Sequence, residues 1–142
     1  LNELSIKAES DGGEVDKKLD DAVRNAGSKE KIVIDSRLAF HWIPESFKVY
    51  LDLPMEISKE RILKNLEANK LRQASESATS LEDVYEKITK RLESERKRYR
   101  ELYGVEDHTA HSNFDLVVDT NENNLEEVAY IVVEEYKKWL VN

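Results

Sequence analysis

The stretch FKVYLDLPMEISKERI, residues 47 to 62, decides the fold. Residues 47–53, with Phe47, Val49, Tyr50, Leu51 and Leu53, read as a strand. Pro54 then suits the first turn of a helix, where its missing N–H loses no hydrogen bond. Ile57, Ile62, Leu63 and Leu66 recur at helical spacing and carry that helix to about Asn69. A strand that runs straight into a helix is the signature of an α/β domain.

Upstream, residues 1–8 read as the end of a helix, broken by Ser10, Asp11, Gly12 and Gly13. Residues 14–26 predict a polar helix with Val15, Leu19, Ala22, Val23 and Ala26 as its buried stripe and Gly27 as its stop. Ile32, Val33 and Ile34 suit a strand covered on both faces and ending at Asp35. Residues 37–44 connect irregularly, with Leu38, Ala39, Phe40 and Trp42 able to pack inward as a short helix.

Downstream, residues 70–79 are polar and small and predict a mobile surface loop, and Ser80 with Asp83 resembles a capping box. The long helix that follows carries Leu81, Val84, Tyr85, Ile88, Leu92, Tyr99, Leu102 and Tyr103 on its apolar stripe and ends at Gly104. Leu116, Val117 and Val118 predict a third buried strand, ending at Asp119 and Thr120. Asn124 and Glu127 cap a final helix whose Leu125, Val128, Ala129, Val132, Val133, Tyr136 and Leu140 are expected to face the core. The acids at the three strand ends are Asp35, Asp52 and Asp119, and ligands of open α/β sheets bind outside such ends.

With 142 residues, 39% of them hydrophobic, the chain is long enough for one domain with a core and shows no interdomain linker. Its 30 acidic and 22 basic side chains give a net charge of -8, which disfavours nucleic acid and anionic membrane as partners. Without cysteine there is neither a disulfide scaffold nor a thiolate zinc site. No signal-peptide pattern or membrane-length apolar run is present, so a cytoplasmic protein is expected.

Against that acidic background, RLESERKRYRELYG, residues 91–104, is locally basic. At about 100° per residue, Arg91, Glu95 and Arg98 share one helical stripe. Spacing alone favours a solvated face with one ion pair, and it also permits two guanidinium forks that clamp phosphate oxygens. Basic and aromatic residues alternate in RKRYR as they do in RNA-binding segments, but the acidic remainder argues against that use. His108 and His111 are expected to be solvent-exposed, with no third ligand evident for a metal, and His41 reads as a packed imidazole beside Trp42. Trp139 is expected in the core or an interface.

Taken in order, these pieces resemble the cytidylate kinases, within the P-loop nucleoside monophosphate kinases. The resemblance rests on Asp35-Ser36-Arg37-Leu38-Ala39 after a strand and on the strand and helix KVYLDLPMEISKERI. It continues in R-x-x-S-E-x-x-R-Y-x-x-x-Y-G from Arg91 and closes with Phe114-Asp115-Leu116-Val117-Val118-Asp119-Thr120, so that it spans about residues 14–140. It implies transfer of the ATP γ-phosphoryl group to CMP or dCMP, with Mg²⁺ arriving through ATP. It also implies that residues 70–104 form a lid-like segment whose Arg91 and Arg98 serve catalysis, that Asp35, Arg37 and Asp16 bind the acceptor nucleotide, and that Thr120 lies near the adenine. On this expectation Arg37, Arg91 and Arg98 converge on one cleft.

The implied fold is α/β, a three-layer P-loop-kinase-like parallel sheet flanked by helices, but incomplete. The chain's glycines are Gly12, Gly13, Gly27 and Gly104, and none stands in a G-x-x-x-x-G-K-[ST] motif. The family's sheet order of 2-3-1-4-5 would place the P-loop strand between the strands at Ile32 and Val49. The expectation is therefore that residues 1–142 are the C-terminal part of the kinase fold, lacking its first strand, P-loop and first helix, and inactive alone. The competing expectation is a non-catalytic kinase-like remnant or interaction module that forms a homo-oligomer through exposed sheet edges.

Overall fold

The computed structural model describes residues 13–68 and 81–141. The break at residues 10–12, the loop at residues 70–79 and the Ser80 cap lie outside the described residues. The chain divides into two compact units, Leu1–Ala22 with Met55–His108 and Val23–Pro54 with Thr109–Asn142.

The helix α1, Glu14–Gly27, begins in the first unit, where the Gly13 carbonyl accepts from the Lys17 amide at 3.0 Å. Gly13 has φ +85°, and a Cβ there would lie 2.7 Å from Leu102 Cδ1, so both backbone and space call for glycine. The buried face of α1 is not the apolar stripe expected from the sequence. Asp16 and Asp20 are the residues turned inward, each 7% exposed, while Leu19 is 61% exposed. Charge pairing explains the reversal, because Asp16 meets an arginine of the helix that packs there.

That partner helix is α4, Leu81–Tyr103, which packs along α3, Met55–Ala68. Lys59 of α3 places its ammonium 4.5 Å from the centre of the Tyr85 ring on α4, which leaves the ring partly open to solvent. Val84, Tyr99 and Val105 form the apolar core of this unit. Gly104 closes α4 with φ +69°, its amide donating to the Arg100 carbonyl at 3.0 Å.

In the second unit, the short helix α2, Ala39–Trp42, follows the buried Leu38. Strands β1, Val49–Asp52, and β2, Leu116–Asp119, pair in parallel with Val49 opposite Leu116 and Asp52 opposite Asp119. The Phe114 ring packs at a tilt against Phe40 and Tyr50, with centroids 5.5 Å and 4.9 Å away, and Val118 is 3% exposed. The Arg24 guanidinium sits 3.6 Å over the Trp42 ring. Helix α5, Leu125–Trp139, opens with the expected capping box. Asn124 Oδ1 accepts from the Glu126 and Glu127 amides, and Glu127 Oε2 accepts from the Asn124 amide at 2.8 Å.

Two expectations are corrected in this unit. Three strands covered on both faces were expected, but the described residues form a two-stranded sheet. Ile32–Ile34 takes no part in a ladder, and Val33 is fully exposed. A strand needs a neighbour for its amides and carbonyls, and among the described residues none lies against this segment. Cover of the pair is also uneven, since Leu51 of β1 is 56% exposed although its register partner Val118 of β2 is 3% exposed. Helix α5 buries none of the residues expected to face the core; Leu125 is 85% exposed, and Phe47 with Tyr136 and Trp139 forms its main aromatic contact. No helix among the described residues is long and apolar enough to cross a membrane.

Candidate functional site

In the first unit, helix α4 presents four arginines, Arg91, Arg96, Arg98 and Arg100, each beside a carboxylate. Arg98 Nε donates to Asp16 Oδ2 at 2.8 Å, and its Nη1 donates to Ser94 Oγ at 2.6 Å. The two charged side chains of that pair are 16% and 9% exposed, so the contact is shielded from water. The sequence placed Arg98 and Asp16 in different roles, and the fold joins them directly.

Arg91 is held more loosely. Its Nε stands 3.5 Å from Glu95 Oε1, and its side chain is 51% exposed against 4% for Glu95. The other carboxylate oxygen of Glu95 lies 3.6 Å from Nε2 of His108, an imidazole as deeply buried as Glu95 itself. The Tyr99 ring meets His108 edge-on at 5.0 Å. Nearby on α4, Arg96 reaches Asp107 with two nitrogens at 3.3 Å and 3.2 Å, and Arg100 reaches Glu106 at 2.8 Å.

His108 was expected in solvent, and its burial is a correction. The loop behind Gly104 turns back on α4, bringing Val105 and His108 inward. Glu95 was expected as an exposed carboxylate between two arginines, yet it occupies the buried stripe. A signal for this was present, since Glu95 falls four residues before Tyr99 and three after Leu92, both on the apolar stripe of α4.

In the second unit, Asp35 and Arg37 are both exposed. Ser36 Oγ between them accepts from the Leu38 amide at 3.3 Å, which fixes the turn into α2. Thr120 closes the end of β1, with its amide and hydroxyl donating to the Asp52 carbonyl at 2.8 Å and 2.9 Å. Asp119 caps the following turn by accepting from the Asn121 and Glu122 amides. His111 lies 3.7 Å from the Asp52 carboxylate and remains half-exposed. Among the described residues no three acidic or imidazole groups gather to hold a metal ion.

Chemically, α4 offers one shielded guanidinium on a carboxylate and hydroxyl, and one half-exposed guanidinium over a buried carboxylate. The second is the more accessible to an anionic ligand, because less must be broken to reach it.

No family model matches the chain, and no solved structure matches it. Several curated proteins do. A cytidylate kinase of Pyrococcus abyssi is 31% identical over 120 residues, covering 84% of this chain and 60% of the relative. One from Methanopyrus kandleri is 31% identical over 132 residues, covering 85% of this chain and 62% of the relative. An S-adenosylmethionine-dependent nucleotide dehydratase of Lacinutrix mariniflava is 36% identical over 126 residues, covering 88% of this chain and 24% of the relative. The chain thus spans about a quarter of the dehydratase and about three-fifths of these two kinases. Over most of its length, and with a parallel strand pair and flanking helices of the α/β kind, this is a cytidylate kinase-like chain.

Proposed function

We propose that this chain supplies the acceptor-nucleotide and lid residues of an ATP-dependent nucleoside monophosphate kinase whose acceptor is CMP or dCMP. The observation that carries the proposal is the 31% identity to two archaeal cytidylate kinases over 84% and 85% of this chain. The reaction is ATP + CMP → ADP + CDP: an acceptor phosphate oxygen bonds to the γ-phosphorus as the bond to the β–γ bridging oxygen breaks. Magnesium arrives with ATP as part of that substrate.

Charge accumulates on the transferred phosphoryl group and the leaving oxygen, so catalysis rests on positioning and positive charge. Arg91 is the residue assigned to meet phosphate oxygens directly. Arg98, fixed by Asp16 and Ser94, holds a defined orientation at the end of the same helix. Asp35 and Arg37 are assigned to the acceptor nucleotide and Thr120 to the neighbourhood of the adenine.

Calorimetric titration of the chain with CMP is expected to show binding that Arg91→Met weakens by roughly tenfold or more, the scale of a charge-assisted hydrogen bond. A coupled assay of the same chain with ATP and CMP is expected to form no ADP, because a glycine-rich donor-phosphate loop is absent from its sequence. Equal CMP affinity in the two proteins would remove Arg91 from the acceptor site.

A second function, as a non-catalytic interaction module, has its own support in the exposed apolar residues of the strand pair. Leu51 on one face and Val117 on the other are exposed, and a second copy is the partner assigned to the pair. Sedimentation velocity distinguishes the two, since the module predicts concentration-dependent association and the kinase segment predicts CMP binding.

A further inference from the structure

Helix α5 carries an apolar face that its own unit leaves uncovered. The helix packs along β2, and its half-buried apolar positions Val128, Ile131 and Val132 lie on one arc. At about 100° per residue, Leu125, Ala129, Val133, Tyr136 and the helical C-cap Leu140 fall on the neighbouring arc, about 80° wide, along the whole length of the helix. All five are exposed, from 85% at Leu125 to 43% at Tyr136 for the large side chains. The Phe47 ring, 5.6 Å from that of Tyr136, holds this aromatic anchor in place without hiding it.

Charge borders this stripe on one flank, with Glu126 in the first turn of the helix and Lys137 in the last. The twofold that relates two antiparallel helices reverses their ends and keeps each flank on its own side, so Glu126 of each copy faces Lys137 of the other. A twofold near Val132 and Val133 sets Leu125 against the other copy's Leu140 and the small Ala129 against its Tyr136. It also leaves Glu126 and Lys137 about two residues, or ~3 Å, from level, within the reach of a lysine side chain. Parallel packing would instead gather both acidic first turns at one end and both basic last turns at the other. Lys137 already meets Glu134 at 2.7 Å, but that pair is open to solvent and holds the ammonium weakly.

We propose that α5 is a homodimer surface, on which two copies of this chain pack antiparallel through Leu125, Ala129, Val133, Tyr136 and Leu140, with Glu126 and Lys137 setting the direction. A second copy is the occupant because the stripe complements itself, small against large and acid against base. The stripe is narrow beside the ~800 Å² that each partner contributes to a stable interface, so the dimer is a reversible one. This surface is distinct from the strand-pair side chains to which self-association is assigned above, and it does not depend on CMP.

Sedimentation velocity of the 142-residue chain is expected to show an average mass that rises with concentration toward twice the monomer value. Glu126→Lys and Lys137→Glu, each alone, oppose like charges twice per dimer and are expected to weaken association by roughly tenfold. An equimolar mixture of the two variants restores both pairs in the heterodimer and is expected to associate as the parent does. Both positions are exposed, so the variants keep the fold, and recovery on mixing reports pairing and not stability. A parent that stays monomeric at every concentration, or a mixture that associates no better than its components, overturns the proposal. Association that the charge variants leave intact and Leu51→Thr removes puts the second copy on the strand pair and also overturns it. None of these readouts involves CMP, so the kinase function stands or falls on its own test.

Discussion

Arg98 and Asp16 carry the strongest electrostatic commitment among the proposed site residues. Both side chains are largely shielded, and their 2.8 Å contact is reinforced by Ser94. A pair of this kind contributes little net stability over an apolar pair of the same volume, but removing one partner strands a buried charge. Asp16→Ala is therefore expected to lower unfolding free energy by about 3 kcal/mol. Asp16→Ala with Arg98→Met should recover part of that loss, since no unpaired charge remains. Urea unfolding of the single and double variants measures the coupling. Additive effects, each below about 1 kcal/mol, would mean that water reaches the pair in solution. The same commitment bears on function: Arg98 meets a phosphate only at the expense of Asp16, whereas Arg91 gives up a longer and more exposed contact.

Helix α4 shows at the scale of an element why its end matters to its middle. Gly104 has φ +69° and nothing within 4 Å of where a Cβ would stand, so Gly104→Ala meets backbone strain with no clash. The expected cost is about 1 to 2 kcal/mol by thermal or urea unfolding, and a neutral result would show that the helix ends differently in solution. Because Val105 and His108 follow this turn, the strain should also appear as a shifted His108 ring signal. The elements of the chain were largely legible in its sequence: α3 after Pro54, α4 up to Gly104, β2 and the capped α5 follow from local chemistry that needs no tertiary context. Which face each helix buries was less legible. Asp16 and Asp20 took the inward face of α1 because a distant arginine meets Asp16, and such pairing has no local signature. His108 was misplaced for a similar reason, since a loop's direction depends on the turn that launches it. The arginines and acids proposed for the site were read from their motif context, whereas the Glu95–His108 contact required the fold.

At the scale of the whole molecule, the strand pair poses the sharpest physical question. Parallel sheets are ordinarily covered on both faces, yet here Leu51 is 56% exposed although its register partner Val118, on the same face, is 3% exposed, and Val117 on the other face is 37% exposed. Cover that reaches β2 and leaves β1 open makes a quantitative asymmetry. Val118→Thr places a hydroxyl in the core at almost unchanged volume and is expected to cost about 1 to 3 kcal/mol. Val33→Thr combined with Leu51→Thr should change stability by less than about 0.5 kcal/mol, because those side chains give up little buried area. Urea midpoints at low protein concentration measure both, and a repeat at high concentration asks whether the exposed side chains are covered by another copy. If the double variant is as costly as Val118→Thr at every concentration, Val33 and Leu51 are covered within the chain itself. If the cost emerges only at high concentration, self-association covers it, and the interaction-module function gains the support that the kinase segment would then have to match through CMP binding.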